Sequence, residues 1–355
     1  MERKQLRITL AVVAVLAACL LTMAPVCAAQ NAQLTGAGST FVYPIMARWI
    51  ADFQQTHPGT QINYQSIGSG GGILQLKNGL VDFGASDVAL NDEQLKTMPG
   101  TIIQVPESAG PVCITYNLLN LSKPLRLSGD ALAGIFLGKI SNWSDPAIAK
   151  TNPGVSLPNS TIVVAHRSDG SGTTGIFTTY LSAISPEWKS RVGENISVRW
   201  PTGLGGKGSE GVTGIVKQMP GAIGYVELNY AEENHLPVVE MENRAGKFVA
   251  PSAATASAAI DAFRAELARD VRLPIVNPGP SAPGAYPISG LTFLLIPKGG
   301  NDAGRRETLK QFISYVVSNG QAMATQLHYA PLPASIAKLD ESLLRQMQAN
   351  GQALK

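Results

Sequence analysis

Residues 161–184 read TIVVAHRSDGSGTTGIFTTYLSAI, and this stretch decides the fold. Thr161 to Ala165 is an apolar, β-branched run of the kind that fills a buried strand. His166-Arg167-Ser168-Asp169-Gly170-Ser171-Gly172-Thr173 supplies turn residues, and the spacing then predicts a helix from about Thr174 to Ile184. Strand, Gly/Ser turn and helix form the unit of open α/β sheets, whose ligands sit at the carboxyl ends of strands.

The same unit recurs toward the N-terminus. Gln33 leads through Gly36-Ala37-Gly38-Ser39-Thr40 into a helix with Ile45, Met46, Trp49, Ile50 and Phe53 on one face. Pro44 fits only a first turn, which places the helix start at about Ser39 to Thr40. Gln61 to Ser66 reads as a strand, breaking at Gly68-Ser69-Gly70-Gly71-Gly72 before a short helix from Ile73 to Lys77. Leu80 to Ala85 reads as a strand ending at Ser86-Asp87. Further on, Val112 to Asn117, Gly221 to Val226 and Leu291 to Ile296 read as strands, Gly203 to Gly211 as a Gly-rich loop, and Ala253 to Leu267 and Arg305 to Ser318 as helices.

The chain has 355 residues, more than one hydrophobic core usually supports, so two lobes are expected. Its N-terminus reads as an export signal: a basic stretch from Arg3 to Arg7, an apolar run from Ile8 to Met23, and the small-residue exit Val26-Cys27-Ala28, with cleavage after Ala28. Lipidation at Cys19 is disfavoured because the apolar run continues past it. The formal net charge of +3 owes much to Arg3, Lys4 and Arg7, so the body is close to neutral. That balance gives no case for nucleic acid or an acidic membrane surface, and any anion site must be local. Cys113, between Val112 and Ile114, reads as a small core residue.

A Ser/Thr-bearing Gly turn opens a helix at Ser39-Thr40, at Ser69-Gly70 and at Ser171-Gly172-Thr173. Each offers unpaired backbone N–H groups, a positive dipole end and a hydroxyl, which suit a small oxyanion. Taken singly, each turn also reads as an ordinary helix cap. Arg167 can donate two parallel hydrogen bonds to an anion, with Asp169 holding the guanidinium. Asp87 by itself also reads as an ordinary turn residue after a strand, but beside these turns it discriminates: an ionised carboxylate only accepts, so it would bind the P–OH of phosphate and reject fully ionised sulfate. Other chemistries fail on spacing. No His/Cys/Asp/Glu group has metal-ligand spacing, no Ser lies in G-x-S-x-G, no P-loop is present, and His166, Asp169 and Ser171 crowd one turn instead of converging from separate segments.

At these residues the chain resembles the periplasmic phosphate-binding proteins of the phosphate-specific ABC transporter. The matching stretches are LTGAGSTF (34–41), IGSGGG (67–72), VDFGASD (81–87), GKISNW (138–143), DGSGTTGIF (169–177), WPTGLGGKG (200–208), GAIGYVE (221–227) and YPISG (286–290). The resemblance implies a type II-like two-lobe α/β fold with crossing hinge strands, residues 29–110 plus 288–355 forming lobe I and residues 111–287 lobe II. Its ligand contacts fall on Thr40, Phe41, Ser69, Asp87, Arg167, Ser171, Gly172 and Thr173, with Ser39, Gly70 and Asp169 in support. Thr40, Phe41 and Ser171 to Thr173 would give backbone N–H groups, and Thr40, Ser69, Ser171 and Thr173 hydroxyls. The implied function is high-affinity binding of inorganic phosphate in the periplasm and its delivery to the permease and ATPase of an importer, by a monomer that has no cofactor and is not an enzyme. A receptor for sulfate or molybdate, a secreted phosphatase and a structural or adhesive protein are the competing readings. Two departures are Ser39, where some relatives carry Ala, and His166, where some carry a second Arg.

Overall fold

Strand β1 (Gln33–Gly38) pairs in parallel with β2 (Gln61–Ser66) and β3 (Phe83–Ser86). This computed structural model describes residues 32–119 and 121–354, and the expected export signal, with Cys19 and Ala28, lies outside the described residues. Strand β4 (Ile102–Tyr116) is followed by β5 (Val163–Arg167), β6 (Leu204–Gly206), β7 (Ala222–Glu227) and β8 (Ser289–Pro297). Together they form an eight-stranded sheet in the order β2-β1-β3-β8-β4-β7-β5-β6. Two parallel groups, β2-β1-β3 and β7-β5-β6, thus flank an antiparallel pair, β8 and β4.

The buried strand β4 carries this arrangement. Residues 102–111 pair with β8, and residues 112–116 pair with β7. The strand expected at Val112 to Asn117 begins ten residues earlier and includes Pro106 and Pro111. Both are accommodated: the register shifts between Thr292 and Phe293, leaving Glu107 as the extra residue beside Pro106, and Pro111 is the last residue before the change of partner. Bulges and ladder ends are where a missing N–H is tolerated.

Helix α1 (Tyr43–Thr56) buries Ile45, Met46, Trp49, Ile50 and Phe53, the face expected from their spacing. It starts later than Ser39, because residues 39–42 form their own turn before Pro44 enters the first helical turn. Helix α2 (Ser69–Lys77) starts earlier than Ile73 and includes Gly70 to Gly72. Packing outweighs the poor helix propensity of glycine there: a Cβ on Gly72 would lie 2.4 Å from the Ala37 carbonyl oxygen and from Gly38 Cα. Leu80, expected in β3, is exposed before the strand. Helix α3 (Gly172–Ile184) follows β5 as the sequence pattern requires. The Gly203 to Gly211 stretch is not all loop: it contains β6 and opens helix α4 (Gly208–Gln218). Helix α5 (Leu228–Glu233) continues directly from β7. Helix α6 (Ala253–Ala262) ends at Phe263, before a short separate helix, Arg264–Leu267. Helix α7 (Ala303–Val317) precedes the C-terminal helix α8 (Ala334–Leu344). No helix among the described residues is long and apolar enough to cross a membrane.

Substituting Gly72→Ala should destabilise the protein by about 2 kcal/mol or more, because β1 backbone cannot withdraw from the added methyl as a flexible side chain could. Urea unfolding checks this, and an unchanged midpoint contradicts the close contact between α2 and β1.

Candidate functional site

The turn before α1, the start of α2 and the start of α3 meet at one place. Gly70 N–H donates to the Gly170 carbonyl (2.8 Å), and Gly172 N–H donates to Ser69 Oγ (3.1 Å). Glycine is required at residue 172 and relieves a tight approach at residue 70. A Cβ on Gly172 would sit 2.5 Å from Ser69 Oγ and 2.6 Å from Asp87 Oδ2, and one on Gly70 would sit 3.0 Å from Gly170 Cα. Asp87, at the end of β3, is 3% exposed. Its carboxylate accepts from the hydroxyls of Ser39 and Ser69.

Arg167 ends β5 and is equally buried. Asp169 accepts from Nε (2.8 Å) and Nη2 (2.6 Å), so the bidentate grip on that guanidinium edge is internal. The Nη1 side faces Ser209 Oγ (3.3 Å) and Thr173 Oγ1 (3.5 Å). Burial opposes ionisation of Asp169, but hydrogen bonds and charge from Arg167, with Gly208 N–H, hold its carboxyl below the usual range. The pair is therefore fixed in its ionised form.

Hydroxyls expected to face a ligand are paired with protein groups. Ser171 caps α3 by accepting from Thr174 N–H (3.1 Å), while its own N–H donates to the Ile196 carbonyl. Its backbone donor, expected for a ligand, is therefore committed elsewhere. Thr40 Oγ1 meets Ser209 Oγ at 2.9 Å, and the Thr173 hydroxyl donates to Glu227 Oε1 at 2.6 Å.

Three tyrosines fix the backbone of the first turn. Tyr64 donates to the Ser39 carbonyl (2.8 Å) and Tyr329 to that of Phe41 (2.5 Å), while the single hydroxyl hydrogen of Tyr230 is shared between the Thr40 carbonyl (2.9 Å) and Glu210 Oε1 (3.0 Å). Burial, reinforced by nearby carboxylates, raises the pKa of Tyr64 and Tyr329, which keeps both hydroxyls as donors. Sequence reasoning did not find these tyrosines, nor Ser209 and Glu227. Glu227 lay in the quoted GAIGYVE stretch, but nothing local to it signals Thr173.

His166 is no base for a nucleophile: it stacks on Trp200 with ring centroids 4.8 Å apart, and its Nδ1 lies 3.0 Å from the Arg167 carbonyl. Among the described residues no group of His, Cys, Asp and Glu could hold a metal.

Residues 26–320 match the sequence profile of the PBP superfamily domain. A phosphate-binding protein PstS of Xylella fastidiosa is 46% identical over 314 residues, covering 88% of this chain and 85% of the relative. One from Haemophilus influenzae is 43% identical, covering 91% and 95%. The chain belongs to the PstS phosphate-binding protein family of the PBP superfamily. A solved phosphate-binding protein from Stenotrophomonas maltophilia, 19% identical, superposes with a TM-score of 0.65 over 87% of this chain and 93% of its own, a likeness of fold. The architecture is the two-lobe α/β fold of the superfamily, and the named relatives are binding proteins.

Within this family fold the electrostatics of Asp87 stand out. Burial pushes its carboxyl up to about 7, the Ser39 hydroxyl opposes that shift, the Glu227 charge adds to it, and Arg167 and Ser69 oppose it. A carboxyl raised on folding stabilises least when ionised, so its contribution is full below the ordinary carboxylate range and lost as pH rises through about 7. Asp87→Asn should therefore raise the thermal midpoint of the ligand-free protein by about 3 °C or more at about pH 8, with the gain vanishing at about pH 4. Thermal unfolding across that range checks it, and a gain independent of pH contradicts burial as the cause. Tyr329→Phe should cost about 1–2 kcal/mol by leaving the buried Phe41 carbonyl unpaired. Chemical denaturation measures that loss.

Proposed function

We propose that this chain binds inorganic phosphate in the periplasm and delivers it to the permease and ATPase subunits of an ABC-type importer. The observation that carries the reading is the buried Asp87 carboxylate set beside the start of α3 and near Arg167. A helix N-terminus and a guanidinium attract an anion, whereas a carboxylate repels one unless the anion brings a hydrogen to donate. Phosphate brings that hydrogen at neutral pH, and sulfate does not.

The proposed contacts are Thr40, Phe41, Ser69, Asp87, Arg167, Ser171, Gly172 and Thr173, with Ser39, Gly70 and Asp169 in support. Since Asp169 holds Nε and Nη2, Arg167 offers the anion its Nη1–Nη2 edge. Ser171 contributes its hydroxyl hydrogen, because its N–H is bound to Ile196. The tyrosine bonds to the carbonyls of residues 39–41 fix that turn and hold Thr40 and Phe41 N–H ready as donors.

Lobe I is assigned residues 29–110 and 288–355, and lobe II residues 111–287. The change of partner of β4 between Pro111 and Val112 supports the first crossing. Residues 256–275 qualify the second: Ala256, Ile260, Leu267 and Ile275 share an apolar cluster with Leu76, Leu291 and Ile336, so this part of the connection packs on lobe I. Closure brings the lobes together through the Thr40–Ser209 and Gly172–Ser69 contacts. Export follows from the signal ending at Ala28, and the mature protein acts as a monomer without enzymatic activity.

Calorimetry tests the assignment. Phosphate should bind the mature protein at least about 100-fold more tightly than sulfate, and Asp87→Asn should reduce that ratio by about tenfold or more. Tighter sulfate binding refutes the phosphate assignment, and an unchanged ratio in the variant refutes the role of Asp87. Arg167→Gln should weaken phosphate binding by about 100-fold.

A further inference from the structure

Glu227 is a buried carboxylate that the sequence reading did not use. It ends β7, is 1% exposed, and accepts the Thr173 hydroxyl at Oε1 while Oε2 has no hydrogen-bond partner. Thr173 is in the first turn of α3, and its oxygen also receives Arg167 Nη1 at 3.5 Å. A threonine hydroxyl has one hydrogen. While that hydrogen goes to Glu227, Thr173 presents only lone pairs to the site and cannot donate to an anion.

We propose that Glu227 is a positioning residue of the anion site: in the phosphate-bound form it carries a proton, donates it from Oε1 to Thr173 Oγ1, and so frees the Thr173 hydroxyl hydrogen for the anion. The inference rests on the phosphate reading. The proton comes from solvent, and no covalent bond other than O–H changes. Charge supports it. Arg167 from β5 is the cation facing Glu227, and it is already paired with Asp169. Asp87 after β3, Cys113 on β4, Tyr230 on α5 and Tyr329 near the C-terminus face it as neutral or negative groups, with the Ser209 hydroxyl from α4. Burial raises the Glu227 pKa, opposed by the Thr173 hydrogen bond and the Arg167 charge. A bound anion adds negative charge and raises it further.

The sign follows. If the complex holds one more proton at Glu227 than the free protein, affinity falls as pH rises through the Glu227 titration. In Glu227→Gln the amide N–H donates to Thr173 Oγ1 at every pH, so this part of the pH dependence disappears. Phosphate ionisation is common to both proteins and cancels in the comparison, whereas Asp87 does not, because the Glu227 charge raises its pKa; Thr173→Val, which keeps the Glu227 charge and so its effect on Asp87, separates the two contributions.

The experiment is phosphate calorimetry on wild type and Glu227→Gln at about pH 6 and about pH 9. The expected result is a pH 9 to pH 6 ratio of Kd at least about threefold larger in the wild type than in the variant. Equal ratios overturn the inference while leaving the phosphate reading intact. Absence of phosphate binding by the wild type at both pH values overturns both. Should Glu227→Gln fail to fold, Thr173→Val removes the hydroxyl through which Glu227 acts. The same flattening is expected there, and a ratio as steep as wild type overturns the inference.

Discussion

One guanidinium set among buried carboxylates is the constraint from which the site follows. Arg167 is bound by Asp169, and Asp87 and Glu227 lie buried within its electrostatic reach. Unit charges a few ångströms apart interact by about 4 kcal/mol even at an effective dielectric near 20. Three ionised acids against one base would therefore be a costly state for a buried site, and adding an anion would make it worse. Protons resolve the imbalance, either on the acids or on the ligand. A site with surplus acceptors is thus matched to an anion that can carry hydrogen, and on the phosphate reading selectivity and charge balance have the same origin.

The backbone supplies the opposite requirement, donors that do not move. Tyr64, Tyr230 and Tyr329 hold the carbonyls of residues 39–41, and glycines at 70, 170 and 172 let two helix starts touch without side chains between them. Such donors need little reorganisation when an anion arrives. Tyr230 comes from α5, whereas Tyr64 comes from β2 and Tyr329 from the stretch before α8, so the turn is braced from several sides. The hydroxyls of Ser69, Thr40 and Thr173 are instead engaged with Asp87, Ser209 and Glu227. Recruiting them for a ligand is an exchange of partners, and each exchange depends on where a proton sits.

Much of this was legible in residue order. The β-branched run before Arg167, the Gly/Ser turns and the apolar face of α1 announced an α/β sheet with helix starts at strand ends, because strand and helix periods are written over a few neighbouring positions. The Arg167–Asp169 pair could be read for the same reason, since only Ser168 separates the partners. Boundaries were less legible. Pro106 and Pro111 hid the first part of β4, and Gly70 to Gly72 hid the first turn of α2. In both cases a distant partner, β8 or β1, overrode the local preference.

Residue order alone specified the fold class, the strand–turn–helix units and the identities of Asp87 and Arg167 as candidates. Tertiary structure alone decided that Thr173 meets Glu227, that Thr40 meets Ser209, and that three scattered tyrosines grip one turn. The physical reason is range. Backbone periodicity and turn chemistry act between neighbours in the chain, whereas the direction of a buried hydroxyl hydrogen depends on acceptors delivered by remote strands and helices, which no local pattern specifies.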